Sequence, residues 1–195
     1  MANFYSPSET VKNLYSLIIT KLFYPKARLI RRPFYLRGNK KALNYGVGFT
    51  TGYRNRIEIF EEGKISVGNN CKFGDNVHIV CSKNVNFGED CLLASNIFIS
   101  DTNHGNMTEH PLTPPDKREL SSKPISIGKS VWIGEGVCVL PGSEIGDGCI
   151  LGAHSVVKGK IPPYTVVVGA PAKPVKQYCF ESNQWKPYIK ESENQ

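Results

Sequence analysis

From Val47 onward a large aliphatic or aromatic residue recurs every six positions: Val47, Tyr53 and Ile59, then Val67, Phe73 and Ile79, then Phe87, Leu93 and Ile99. After a gap the series resumes as Ile127, Ile133, Val139, Ile145, Leu151 and Val157. A small residue often follows the anchor, as at Gly68, Gly74, Gly88, Ala94, Gly128, Gly134, Gly146 and Gly152. A helix repeats at about 3.6 residues and a strand at about two, so neither produces this beat. A solenoid does, because each hexapeptide supplies one short strand and one corner, and three of them close one coil of a triangular prism. The anchors point inward, and stacked coils bury an apolar column that one coil could not bury alone. The pattern predicts an all-β solenoid, a parallel β-helix, over residues 46–176.

Two irregularities refine it. Ile59 to Val67 and Ile79 to Phe87 are each eight apart, which predicts the same two-residue corner extension in successive coils. The step from Ile99 to Ile127 is 28, one hexapeptide plus a 22-residue excursion that forms a loop at about 101–124. Loops of this length inside a compact domain are functional or disordered, and this one carries His104 and His110. Cys71, Cys91 and Cys149 fall at an inward phase and are expected as small core residues.

Ahead of the repeat, residues 1–45 form an arm. Val11, Leu14, Tyr15, Ile18, Ile19 and Leu22 follow helical spacing after Ser6-Pro7-Ser8, which predicts a helix over 8–24. Lys12 and Lys21 interrupt its apolar stretch, which is too short to span a bilayer. The helix suits a cap over the open end of the solenoid. The segment Lys26 to Arg37, basic with interleaved Leu29, Ile30, Phe34, Tyr35 and Leu36, fits docking on an anionic membrane leaflet. Residues 177–195 form a C-terminal tail, of which 181–195 carry no motif and are expected to fray.

Charge sharpens this division. The formal net charge is +7, yet Lys12, Lys21, Lys26, Arg28, Arg31, Arg32, Arg37, Lys40 and Lys41 face only Glu9 in the first 41 residues. The remainder is nearly neutral, without the basic face a nucleic-acid partner requires. Six scattered cysteines with no Cys-x-x-Cys exclude redox or zinc-ligand spacing and fit reduced thiols in a cytoplasmic protein, at the inner face of the membrane if the arm docks there. No charged n-region and cleavage site of a secretory leader is visible.

Three segments on the repeat add chemistry: Asp101-Thr-Asn-His104-Gly before the loop, Val131-Trp-Ile-Gly134 after it, and Ile161-Pro-Pro-Tyr-Thr-Val-Val-Val-Gly-Ala-Pro-Ala-Lys173 at the end. With these, the chain from Gly46 to Lys176 resembles the hexapeptide-repeat acyltransferases, in particular the galactoside, maltose and O-antigen O-acetyltransferase branch. The resemblance implies a left-handed coil, a homotrimer with sites between subunits, and direct acetyl transfer from acetyl-CoA to a hydroxyl of a sugar. A surface polysaccharide or its precursor is the acceptor class it points to.

His104 is the candidate general base, since imidazole titrates near neutrality and the residue stands where a strand enters the loop. Asp101 either orients that ring, contacts the acceptor or caps a turn. Asn103 and Asn76 are further acceptor candidates; the galactoside branch has an asparagine one coil earlier, where this chain has Gly74 and then Asn76. Trp132 is outward in phase, and the resemblance sets it beside the pantetheine and acceptor channel, although packing against the loop is the simpler role. Gly134, Ala153, Ala170 and Pro171 match the family's CoA-binding positions, with Lys158 and Lys173 for its phosphates. The Gly134 N–H is a candidate oxyanion donor.

Three alternatives stay in view. One is acetylation of a streptogramin-type antibiotic, as in a related branch. Another is a scaffold that keeps the fold without turnover. The third is a γ-type carbonic anhydrase site on His78, His104 and His110, disfavoured because His110 lies off the repeat lattice; no metal is expected.

Overall fold

A computed structural model describes residues 5–60, 62–105 and 112–189. The chain winds into six coils of a triangular prism, with three stacks of short parallel strands as its faces. Face A stacks Leu29–Ile30, Thr50–Thr51, Lys72–Phe73, Leu92–Leu93, Trp132–Ile133, Ile150–Leu151 and Thr165–Val168. Face B stacks Phe34–Gly38, Asn55–Ile59, His78–Cys81, Phe98–Ser100, Cys138–Val139 and Val156–Val157. Face C stacks Leu43–Tyr45, Lys64–Val67, Asn84–Phe87, Ile125–Ile127, Glu144–Ile145 and Lys160–Ile161.

The anchors from Val67 to Val157 are all buried, and each fully buried Ile or Leu contributes about 1.5–3 kcal/mol of transfer free energy. Cys71, Cys91 and Cys149 lie in the core as expected, and their thiols donate to the carbonyls of Gly88, Gly128 and Pro162. Phe49, Phe73 and Phe87 stack along the axis with ring centroids 5.0 and 5.2 Å apart.

The first expected coil is out of register by two. Val47 is 63% exposed, and the residues level with Val67, Phe73 and Ile79 are Tyr45, Thr51 and Ile57. Thr51 breaks the apolar signature at its anchor position although it is fully buried. The corners therefore differ: Ile57 to Val67 spans ten and Ile79 to Phe87 eight, not eight twice. Indeed every departure from six lies on the B–C edge, where successive anchors are separated by 9, 10, 8, 28, 6 and 4 positions. The other two edges keep the six-residue step throughout.

The solenoid also begins earlier than residue 46. Leu29–Ile30, Phe34–Gly38 and Leu43–Tyr45 pair with the following strands of faces A, B and C, so the basic segment is the first coil, not a free arm. At the other end the fraying expected from 181 is not seen over Gln184–Pro187. Lys173–Cys179 and Gln184–Pro187 form an antiparallel hairpin that extends face A to nine strands; residues 190–195 lie outside the described residues.

The N-terminal helix spans Pro7–Phe23, opened by a capping box in which Ser6 and Glu9 satisfy each other's backbone amides. Its buried residues are polar, Ser16 and Thr20. Thr20 Oγ1 accepts the Ile30 N–H (2.9 Å), and Ser16 Oγ accepts the Arg32 N–H (3.2 Å), which satisfies the edge of the first coil. No described helix is long and apolar enough to cross a membrane.

Candidate active site

The excursion leaves the prism at the B–C edge as a two-stranded antiparallel ribbon, Thr102–His104 against Leu120–Ser122. Its base is anchored by Asp101, which is fully buried. One carboxylate oxygen accepts the Ser82 N–H (2.8 Å), and the other accepts those of Lys83 (2.8 Å) and Asn84 (2.7 Å). The Asp101 carbonyl accepts the Lys123 N–H (2.8 Å), so one residue ties both legs of the excursion to the preceding corner. Asp101 is thus neither an acceptor contact nor a partner of His104: its oxygens are filled by backbone amides. Burial, with this carboxylate beside it, pushes the Cys81 thiol up to about 12, which makes it a core group and not a nucleophile.

His104 is exposed at the outer end of its strand and pairs across the ribbon with Leu120. Directly opposed residues of an antiparallel pair share a face. Thr102 and Ser122 occupy that same face, joined by an Oγ hydrogen bond of 3.0 Å. Leu120 and Ser122 line a cavity of about 530 Å³ with Glu62, Lys64, Ser82, Lys83 and Asn84. The pairing puts His104 on the Leu120 face of the ribbon, although His104 itself does not line the cavity. Ser82 is 6% exposed, and its buried Oγ has no hydrogen-bond partner among the described residues. Asn103 follows the strand alternation and points to the opposite face from His104.

The cavity residues escaped the sequence reading, though a signal was present. The corner extension at residues 82–83 and the excursion share one edge, visible once the strand register is known.

Other candidates lie elsewhere. Asn76 sits at the A–B edge in a left-handed backbone conformation (φ 55°) that asparagine tolerates. Its amide accepts from Arg54 Nε (2.9 Å) and donates to Asn96 (3.0 Å), and Asn96 continues to Glu135. That ladder separates Asn76 from the His104 of the same chain. Trp132 projects from face A, 51% exposed, level with the outward Leu92 and Ile150. Gly134 and Ala153 stack at the adjoining A–B edge; a Cβ on Gly134 would meet the Ala153 nitrogen at 2.8 Å. The Gly134 N–H is taken by the Leu151 carbonyl (2.8 Å), so it is not available as an oxyanion donor.

Ala170 and Pro171 lie in the turn beyond face A that packs on Val156, where Val156 N–H donates to Gly169 O and Ala172 N–H to Val156 O. Lys173 opens the closing hairpin, and Lys158 lies exposed on the B–C edge with His104. Trp132, Gly134, Ala153, Ala170 and Pro171 are thus grouped around face A and its A–B edge. His104 and Lys158 belong to the B–C edge, opposite face A in a triangular section. One chain does not bring the two groups together.

Among the described residues, His78 and His154 are not gathered with His104. His78 is held on face B between Glu58 (3.2 Å) and Arg56 (3.1 Å). Burial lowers its pKa, with Arg56 and Arg37 adding to the effect, although the Glu58 hydrogen bond opposes them. His154 lies at the A–B edge, and His110 lies outside the described residues. Among the described residues no three His, Cys, Asp or Glu are grouped to hold a metal ion.

Comparison with known proteins joins fold and site. Residues 124–159 match the family described as "Bacterial transferase hexapeptide (six repeats)", and residues 64–101 match "Hexapeptide repeat of succinyl-transferase". The chain is 43% identical over 175 residues to an Escherichia coli (strain K12) protein named "Putative lipopolysaccharide biosynthesis O-acetyl transferase WbbJ", covering 87% of this chain and 89% of that one. The chain belongs to the hexapeptide-repeat acyltransferases.

Within that family it is an O-acetyltransferase of the galactoside and O-antigen branch. It is 37% identical over 113 residues to the galactoside O-acetyltransferase of Escherichia coli (strain K12), covering 58% of this chain and 54% of that protein. A galactoside acetyltransferase solved in complex with coenzyme A superposes with a TM-score of 0.54 at 30% identity, over 90% of this chain and 74% of that one.

Proposed function

We propose that this acyltransferase moves acetyl from acetyl-CoA to a hydroxyl of a sugar, with His104 as general base and the B–C cavity as the acceptor site. A surface polysaccharide or its precursor is the acceptor class, in keeping with the lipopolysaccharide relative. The carrying observation is that His104 pairs across the ribbon with Leu120, which with Ser122 lines a polar cavity at the ribbon's foot. Polar lining residues suit a polyol.

Face A and its edge fit the donor: the exposed Trp132 offers an apolar plate beside the small Gly134 and Ala153 of that edge. Lys173 offers charge for its phosphates, and Lys158 would reach them from the neighbouring chain that brings His104. Acetyl-CoA supplies the acetyl group as an activated thioester. His104 takes the acceptor's hydroxyl proton as that oxygen bonds to the thioester carbonyl carbon, and it returns the proton to the thiolate as the carbon–sulfur bond breaks. Because His104 and Trp132 stand on opposite sides of one prism, the complete site is formed by two neighbouring chains of a homotrimer.

The test is thiol release from acetyl-CoA over a panel of sugars, glycan precursors and streptogramin-type compounds. Replacing His104 with Ala is expected to lower turnover by about 10²–10⁴-fold while leaving CoA binding in place. Full activity in H104A would remove the base from the mechanism, and turnover on antibiotics alone would remove the sugar.

A further inference from the structure

The N-terminal helix is amphipathic, but it meets the prism with the wrong side for a cap. Its contacts to the first coil run through Asn13, Ser16 and Thr20, which bond Arg31, Arg32 and Ile30. The opposite side carries Val11, Leu14, Ile18 and Leu22 at helical spacing, all more than half exposed, with Tyr15 at its border. Had the helix folded back to seal the core, this stripe would be the buried one.

We propose that this stripe docks the protein on an anionic membrane surface, with the helix lying in the interface plane. Charge selects the occupant. Lys12 and Lys21 lie on the helix itself, Lys26 and Arg28 follow it, and Lys40 and Lys41 close the first coil, all exposed at the same end of the prism. The one carboxylate in that stretch, Glu9, is occupied by the Ser6 capping box. Beyond this end the molecule is nearly neutral in net charge, so an anionic surface attracts and orients the N-terminal coil in particular. A second copy meeting this end with its own would place like charges together.

A cavity of about 530 Å³ between the helix and the first coil opens at the same end, walled by Tyr15, Ile19, Phe23 and Leu36, with Arg32 and Lys40 on its rim. Arg32 keeps a buried Nε without a hydrogen-bond partner among the described residues. The charges of Arg32 and Lys40 suit a lipid phosphate, and the aromatic wall suits the depth at which headgroups meet acyl chains. Helices with an apolar face and basic flanks bind by this combination of area and charge.

The experiment is vesicle flotation of the full-length protein, using phosphatidylcholine alone and phosphatidylcholine with phosphatidylglycerol. Binding is expected to the mixed vesicles, at least about tenfold weaker to phosphatidylcholine, and reduced by salt. The triple variant Leu14→Ser, Ile18→Ser, Leu22→Ser alters only outward side chains. It is expected to lose binding by about tenfold or more while keeping its mass in solution. No binding of the wild type, or binding untouched by the triple variant, overturns the proposal. A triple variant of smaller mass overturns it as well, since the stripe would then be a contact between subunits.

Discussion

Asp101 has two oxygens, and three backbone N–H groups at the preceding corner converge on them. Removing an acceptor from buried donors costs their desolvation and not merely the net value of a hydrogen bond. Asp101→Ala is expected to destabilise the fold by roughly 3 kcal/mol, read as a shifted denaturation midpoint. Asp101→Asn, which keeps one acceptor oxygen, should fall between. An unshifted midpoint in both would mean that the corner finds other partners. The same residue shows where reading a sequence stops. Asp101, three places before a histidine in a loop motif, suits an imidazole partner and a turn cap equally well. Only strand register reveals that Ser82, Lys83 and Asn84 lie against it. The His104 position, in contrast, at the end of a strand that enters the excursion, could be read from the sequence alone.

At the scale of elements, the six-residue beat carried the solenoid from Val67 to Val157 because every anchor there is apolar. It slipped by two in the preceding coil, where the anchor is Thr51, and it missed the first coil, whose Ile30, Leu36 and Tyr45 are hidden among basic residues. The helix was equally readable as an element, yet its orientation was not, because amphipathicity does not say which side a neighbour takes. Here docking rests on hydroxyls. Thr20→Val keeps shape but leaves the Ile30 N–H without its acceptor, a cost of about 1–2 kcal/mol. Faster amide exchange confined to the helix and first coil is the expected outcome. Exchange that rises evenly through the solenoid would mean that the helix and coils unfold as one unit.

For the whole molecule, the division of site residues between opposite sides of the prism has a consequence that mixing can expose. If His104 of one chain works with Trp132 of its neighbour, then chains carrying His104→Ala and chains carrying Trp132→Ala fail for different halves of the same interface. When the two are unfolded together in equal amounts and refolded, an interface is intact if its base comes from the Trp132 variant and its indole from the His104 variant. Random assembly gives about a quarter of such interfaces. Activity of the mixture, at acetyl-CoA concentrations below saturation, is therefore expected to recover toward about a quarter of wild type and to exceed both parents. A mixture no better than the average of its parents would place both residues' work within one chain, and the excursion would then have to carry His104 around the prism. The first result would also account for the irregular edge: the A–B and C–A steps stay at six, while the B–C edge, where His104 stands, takes up the additional residues.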